Sequence, residues 1–332
     1  MTADPSQGAP GENPEPRGGD QAAREPPAAR PSIGGQALVE GVMMRGPRSW
    51  AVAVRKPDGE IASETHALPW DPEAHPWVRW PLVRGVHVLA ESLAIGMRAL
   101  RISAAYSLKG DVELTDRQLG WTMGLAITVF SVVFIAAPAL AGKLGGRLVG
   151  VSSSVGQNLV EGGIRVGLFL GYILLISLIP DIRRVYQYHG AEHKTIAAYE
   201  NGDPLEPGAV DRYSTLHVRC GTNFLFIVLF LTIVLGLVLD MVLPASVLLV
   251  IAARILVIPL LAAGGYEVIR AASRDERSLV FRIASLPGLA LQKVTTRPPS
   301  PDQIEVAIRA IEAVIAAEIQ GGAERGAPRS AY

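Results

Sequence analysis

The chain is short of cysteine, short of charge and without an excess of either sign. Cys220 is the sole cysteine, which excludes an intrachain disulfide framework and any CxxC metal knuckle. Only 19% of residues are Asp, Glu, Lys or Arg, and 31 basic residues face 31 acidic ones. A zero net charge excludes a general nucleic-acid binder, which carries a basic surplus. The glycine-containing stretch 34–47 lacks the Gly-Lys-Ser/Thr ending of a phosphate-binding loop. Residues 1–30 have no large apolar side chain after Met1, and so no apolar region of a secretory signal. With Pro5, Pro10, Pro14, Pro16, Pro26 and Pro27, residues 1–32 are expected to form a disordered Pro/Gly-rich tail. A second disordered tail is expected at 321–332.

What the chain has in quantity is apolar residues, 49% of 332, gathered into long charge-free runs. Between Arg117 and Lys143 there are 25 consecutive uncharged positions, and Cys220 to Leu239 gives 20 more. A helix needs about 20 apolar residues to cross a bilayer core. Val166 to Pro180 offers only 15 positions, so Arg165 is expected to snorkel at one end. Met241 to Tyr266 is long enough but carries Arg254 in its middle. These runs predict an α-helical integral membrane protein with about four transmembrane helices over 118–266.

Lysine and arginine set the expected orientation. The flank before the first run has Arg98, Arg101, Lys109 and Arg117. Segment 181–219 has Arg183, Arg184, Lys194, Arg212 and Arg219, and the far flank has Arg270, Arg274, Arg277 and Arg282. The opposite side holds Lys143, Arg147 and Arg165. The positive-inside rule places the rich side, and with it both termini, in the cytoplasm.

Two cytoplasmic parts flank the spans. Trp50–Val54 reads as a strand, Gly46-Pro47 and Asp58-Gly59 as turns, and the return strand runs through Ile61, so 33–68 is expected to be a small β element. Pro81–Ala105 is an apolar helix interrupted by Arg84, Glu91, Arg98 and Arg101, which suits an interfacial or core helix. Together these define a cytoplasmic unit over 33–117. In the cytoplasmic region 267–320, Ile304, Ala307, Ile308, Ile311 and Ile315 form one helical stripe, with Asp302 and Glu305 at capping-box spacing.

The His-rich segment 181–222 holds the chemistry. His189, Glu192 and His193 stand at i, i+3 and i+4, one face of a helix. Two imidazoles one turn apart can hold one divalent ion, and the carboxylate between them can orient or deprotonate a water; this is the H-x-x-E-H order of inverted zincins. His217, Cys220 or Glu200 would complete zinc's ligand count, and an open fourth position would make the site catalytic. The competing explanation is that these groups merely hydrogen-bond at a membrane–water interface. Arg254 is a second anomaly: a mid-bilayer arginine is costly and faces protein interior. With no acid in the predicted spans, it is read as an anion site or as bonded to backbone carbonyls. Glu40 and Arg45 are five apart, on opposite faces of a regular strand, unless a bulge at Gly41 brings them together.

The runs GGQALVEGVMMRGP, AVRKPDGEI, YHGAEHKTI, HVRCGT, LPGLALQKVTTRPP and DQIEVAI occur in this order. Together, over roughly residues 33 to 316, they resemble the YqhQ-like bacterial membrane family (domain of unknown function 1385). That resemblance implies an integral protein of the bacterial cytoplasmic membrane and a predicted metal-dependent enzyme. By position it implicates His189, His193, His217 and Cys220 as metal ligands and Glu192 as base. Val218 stands where the family commonly has proline. The expected function is divalent-metal-dependent hydrolysis at the cytoplasmic membrane surface, with zinc as cofactor, membrane lipids as surroundings, and a homo-oligomer compatible with it. The alternative is a transporter, lipid translocator or scaffold working through Arg254.

Overall fold

The computed structural model describes residues 30–68, 76–107, 116–148, 150–151, 153–242, 247–272 and 278–323. The expected tail over 1–32 lies outside them save its last three residues, and of the tail expected at 321–332 the residues 324–332 lie outside them while 321–323 are helical. Four antiparallel strands come first: β1 (Gly34–Leu38), β2 (Gly41–Arg45), β3 (Ser49–Arg55) and β4 (Ile61–Ala67), paired in sequence order as a meander. The expected β element over 33–68 is therefore present. Both expected turns are too: the Gly46 N–H donates to Ser49 O at 2.8 Å, and Gly59 takes φ +92° in the β3–β4 loop.

Alternation along the strands directs two sets of side chains to two helical layers. Val42, Met44, Ala51 and Ala53 join a core with Tyr188, Ile304, Ile311 and Val314. Leu38, Met43, Trp50, Val52 and Val54 pack with Ile95 and Ala99 on the opposite face. The first layer is α5 (Pro180–Asn201) and α10 (Pro301–Ala323), and the second is α1 (Val83–Ser107). Coverage on both faces explains why β3 is buried at six successive positions, without the in–out contrast of a half-exposed strand. The predicted stripe of α10 faces the sheet, but its cap differs. The Ser300 N–H donates to Gln303 Oε1 at 2.9 Å, while Glu305 instead pairs with Arg55. At the other end of α10, Glu318 Oε1 accepts from the N–H groups of Arg48 and Ser49 and from Ser49 Oγ, closing the β2–β3 turn.

The rest is a helical body. It comprises α2 (Asp116–Ser131), a π-helical turn (Val132–Ala136), α3 (Ala137–Leu148), α4 (Ser154–Ile176), the short α6 (Pro207–Val210), α7 (Gly221–Val242), α8 (Val247–Ala272) and α9 (Leu279–Thr295). Four stretches are long and apolar enough to cross a membrane: Gly120–Gly142, Val155–Ile176, Gly221–Leu239 and Leu249–Ala271. Their outer faces carry exposed apolar side chains such as Trp121, Leu175 and Leu256.

Three sequence expectations change here. The second stretch begins at Val155, eleven residues before Val166, because helix α4 absorbs charged residues into its inner face. Arg165 does not snorkel. It is buried, donating to Phe134 O (3.0 Å) in the π turn and to Thr232 Oγ1 (3.2 Å), and pairing with Glu161 one turn back. Arg254 is not without an acid, since the same Glu161 carboxylate accepts from it across the bundle. Glu40 and Arg45 do not meet: Arg45 pairs with Glu91 of α1, and Glu40 with Arg184 of α5.

Glu40 occupies the two-residue β1–β2 turn at φ +54°, a conformation costly for a residue with a Cβ. Arg184 and the Tyr188 hydroxyl (3.2 Å) hold its carboxylate there. Glu40→Ala and Glu40→Gly both lose those contacts, but only glycine relieves the backbone. Glu40→Gly is therefore expected to be more stable than Glu40→Ala by about 1 kcal/mol, read as thermal unfolding of the purified chain. Glu161→Ala strands two buried guanidiniums and is expected to cost about 3–5 kcal/mol by the same measurement.

Candidate functional site

Helix α5 begins with Pro180 at its first turn, where a missing N–H costs nothing, and Asp181 beside it suits the positive helix end. The His-rich segment is helical from Pro180 to Asn201, and His189, Glu192 and His193 do share one face. That face borders a cavity of about 410 Å³ closed by β1, by the segment leading into α7, and by the start of α7 itself. A larger and more open groove, about 600 Å³, lies between the β3–β4 loop and α10. Its lining, with Arg55, Glu60, Glu305 and Arg309, has no histidine or cysteine.

Each imidazole is oriented through its Nδ1. His189 Nδ1 lies 2.9 Å from Thr295 O at the end of α9, and His193 Nδ1 lies 2.6 Å from Thr215 O. A carbonyl only accepts, so each Nδ1 carries a proton, and in the neutral ring Nε2 is left with its lone pair. Burial holds His193 below the ordinary imidazole range, against Cys220, which pulls it up. A neutral ring with a free Nε2 is the ligand form.

Cys220, at the threshold of α7, brings Sγ to 3.4 Å from His189 Nε2. One ligand atom from each of His189, His193 and Cys220 lies within 4.8 Å of the others. Two ligands held by zinc at tetrahedral angles stand about 3.5 Å apart. The donor set, two imidazoles and one thiol, is one that zinc accepts with a fourth position open.

Glu192 sits against this cluster, 5% exposed, and its Oε2 has no hydrogen-bond partner. Burial raises its carboxyl to about 7, although His189 and His217 pull it down. The structure brings His217 next to His193, with ring centroids 5.6 Å apart, but not into the three-ligand group. Its Nε2 faces Glu200 Oε2 at 3.4 Å, and Glu200 is in turn paired with Arg219 at 2.8 Å. Arg254, Glu40 and Arg45 lie in other clusters.

Several residues here escaped sequence reasoning. Gln292 is fully buried on α9 and clamps the His217 backbone from both sides, its Oε1 accepting from His217 N (2.8 Å) and its Nε2 donating to His217 O (2.9 Å). Thr215 and Thr295 act through main-chain carbonyls, which leave no trace in residue type. The polar Gln292 directly after the uncharged stretch 286–291 was the one available signal. Gly190 lets the segment after α9 lie directly on α5: a Cβ there would stand 2.1 Å from Arg297 O. The Arg297 N–H donates to Tyr186 O at 2.9 Å in the same contact.

The family described as "Protein of unknown function (DUF1385)" matches residues 80–317, and the chain belongs to it. The chain is also similar to "Uncharacterized protein YqhQ" of Bacillus subtilis (strain 168), 32% identical over 303 residues, 87% of this chain and 93% of that protein. Neither description names an activity. No solved structure matches.

Gly190→Ala is expected to push α5 away from Arg297 and cost about 1–3 kcal/mol in thermal unfolding. Gln292→Leu strands a buried N–H and a buried carbonyl, and is expected to cost about 2–4 kcal/mol in the same assay.

Proposed function

We propose that this DUF1385 chain is a divalent-metal-dependent hydrolase working at a membrane surface, with zinc or a similar ion on His189, His193 and Cys220. The observation that carries this reading is the convergence of three ligand atoms within 4.8 Å, with both imidazoles already turned by backbone carbonyls. Metal-ligating histidines almost always donate their other ring N–H to a carboxylate, backbone carbonyl or water, as both rings here are placed to do. The four apolar stretches support a multi-pass protein, and the cavity wall includes Leu225 in the first turns of the third stretch. The Lys and Arg asymmetry supports the cytoplasmic side of the bacterial inner membrane for the site and for both termini.

The ion, when bound, supplies Lewis acidity toward a carbonyl or phosphoryl oxygen. The chain supplies the rest. The Thr295 and Thr215 carbonyls hold the imidazole rings in place. Glu192, buried and with Oε2 unengaged, takes a proton from the attacking water and passes it to the leaving group. His217 and Glu200 form an outer polar rim that orients what enters. Arg254, paired with Glu161 in the helical body, takes no part.

Purified full-length chain is expected to contain close to one zinc per molecule by elemental analysis. His189→Ala with His193→Ala should lower that at least tenfold, and Cys220→Ala should weaken it. Glu192→Gln should keep the metal. Metal content unchanged in the double histidine variant would sink the reading.

A further inference from the structure

We propose that the substrate of this site is an extended peptide, which adds as a fifth strand to the free edge of β1. The inference rests on the metal-hydrolase reading and specifies what that site acts on.

β1 is the outermost strand, paired with β2 alone. The two-residue turn Val39-Glu40 closes on the pair Leu38↔Gly41, the hydrogen-bonded pair of such a hairpin. Pairing alternates along an antiparallel ladder, so Gln36 and Gly34 also bond toward β2. Gly35 and Ala37 therefore direct their N–H and C=O groups away from the sheet. Among the described residues no hydrogen bond reaches them from that side. Natural edge strands are usually blunted by charge, proline or a bulge. This one reads Gly-Gly-Gln-Ala-Leu, with Gly34, Gly35 and Gln36 exposed, and it has none of those devices. An open edge is a template for another strand.

The edge also lies beside the candidate ligands. Residues 34–37 of β1 line the same cavity as His189, Glu192, His193 and Cys220. Gly35 passes directly over Glu192, so closely that a Cβ would come within 2.7 Å of Oε1. Glycine here lets the strand and the acid share one wall. A strand added about 4.8 Å outside β1 takes two backbone hydrogen bonds from each of Gly35 and Ala37 and runs along the wall that Glu192 helps to form. A phosphate headgroup fits this wall less well, because its arginine, Arg219, is already paired with Glu200.

The reaction is amide hydrolysis. The oxygen of a water adds to the peptide carbonyl carbon, the C–N bond breaks, and Glu192 carries the water's proton to the leaving nitrogen. The products are a carboxylate and an amine, with no oxidant or reductant consumed.

The test uses zinc-titrated full-length chain in detergent and four probes. These are acetohydroxamate, a tripeptide hydroxamate, the same tripeptide methylated at its backbone nitrogens, and glycerol phosphonate. The tripeptide hydroxamate is expected to bind at least tenfold tighter than acetohydroxamate, and methylation should abolish the gain. Ala37→Pro, which removes one outward N–H, should lower the tripeptide's affinity about tenfold and leave acetohydroxamate unchanged. Acetohydroxamate binding with no added gain from the tripeptide, or with a gain that survives methylation, overturns the peptide proposal but leaves the metal reading standing. Tighter binding of glycerol phosphonate overturns it in favour of a lipid headgroup. Failure of zinc or acetohydroxamate to bind at all overturns the metal reading itself.

Discussion

Two main-chain carbonyls, Thr215 O and Thr295 O, hold the imidazoles of His193 and His189, and the candidate site depends on that restraint. A helix can place two histidines one turn apart, but it cannot by itself decide which ring nitrogen is protonated. Here the decision comes from segments 22 and 106 residues away. Gly190 lets one of those segments approach, and Gln292 fixes the backbone of the other strand of the site at His217. The thiol of Cys220 arrives on the same path, one residue before α7 begins. The site is thus a junction of α5, α9 and the entry to α7 rather than the property of one helix.

The sheet and the helical body are joined through the same junction. α5 presents its site face to β1 and packs Tyr188, Ala191 and Ile196 into the core with Val42, Met44 and the α10 stripe. α1 covers the other face of the sheet and continues to α8, where Arg84 pairs with Glu267. Inside the helical body, Glu161 satisfies both Arg165 and Arg254. One carboxylate between two guanidiniums leaves a single positive charge, which the Phe134 carbonyl of the π turn and the Thr232 hydroxyl help to disperse. Replacing Glu161 leaves two buried guanidiniums without their carboxylate, the costly outcome for such clusters.

Much of this was readable from residue order. Charge-free runs marked the first and third apolar stretches, and a run broken by Arg254 alone marked the fourth, because a bilayer-length helix must be long and apolar whatever it packs against. The hairpin turns at Gly46-Pro47 and Asp58-Gly59 were readable from turn chemistry, and the α10 stripe from its helical period. The i, i+3, i+4 spacing placed His189, Glu192 and His193 together once α5 was a helix. The second stretch was misjudged because counting uncharged positions treats Glu161 and Arg165 as a boundary, whereas a paired acid and base one turn apart are tolerated on an inner face. The acid that pairs with Arg254 lies beyond the same boundary. Glu40 and Arg45 are close in sequence, yet each finds its partner on a distant helix.

Residue order alone, then, determined what was local or periodic: helix lengths, strand alternation, turn residues and the face shared by the two histidines and their acid. These follow from backbone geometry, which acts over a few residues. Only the tertiary structure decided what is non-local. It brought Cys220 rather than His217 or Glu200 into the three-ligand group, set Glu161 between two arginines, and left the edge of β1 open over Glu192. Those outcomes depend on which carbonyls, carboxylates and strand edges packing brings within hydrogen-bond reach, and no spacing along the chain encodes that.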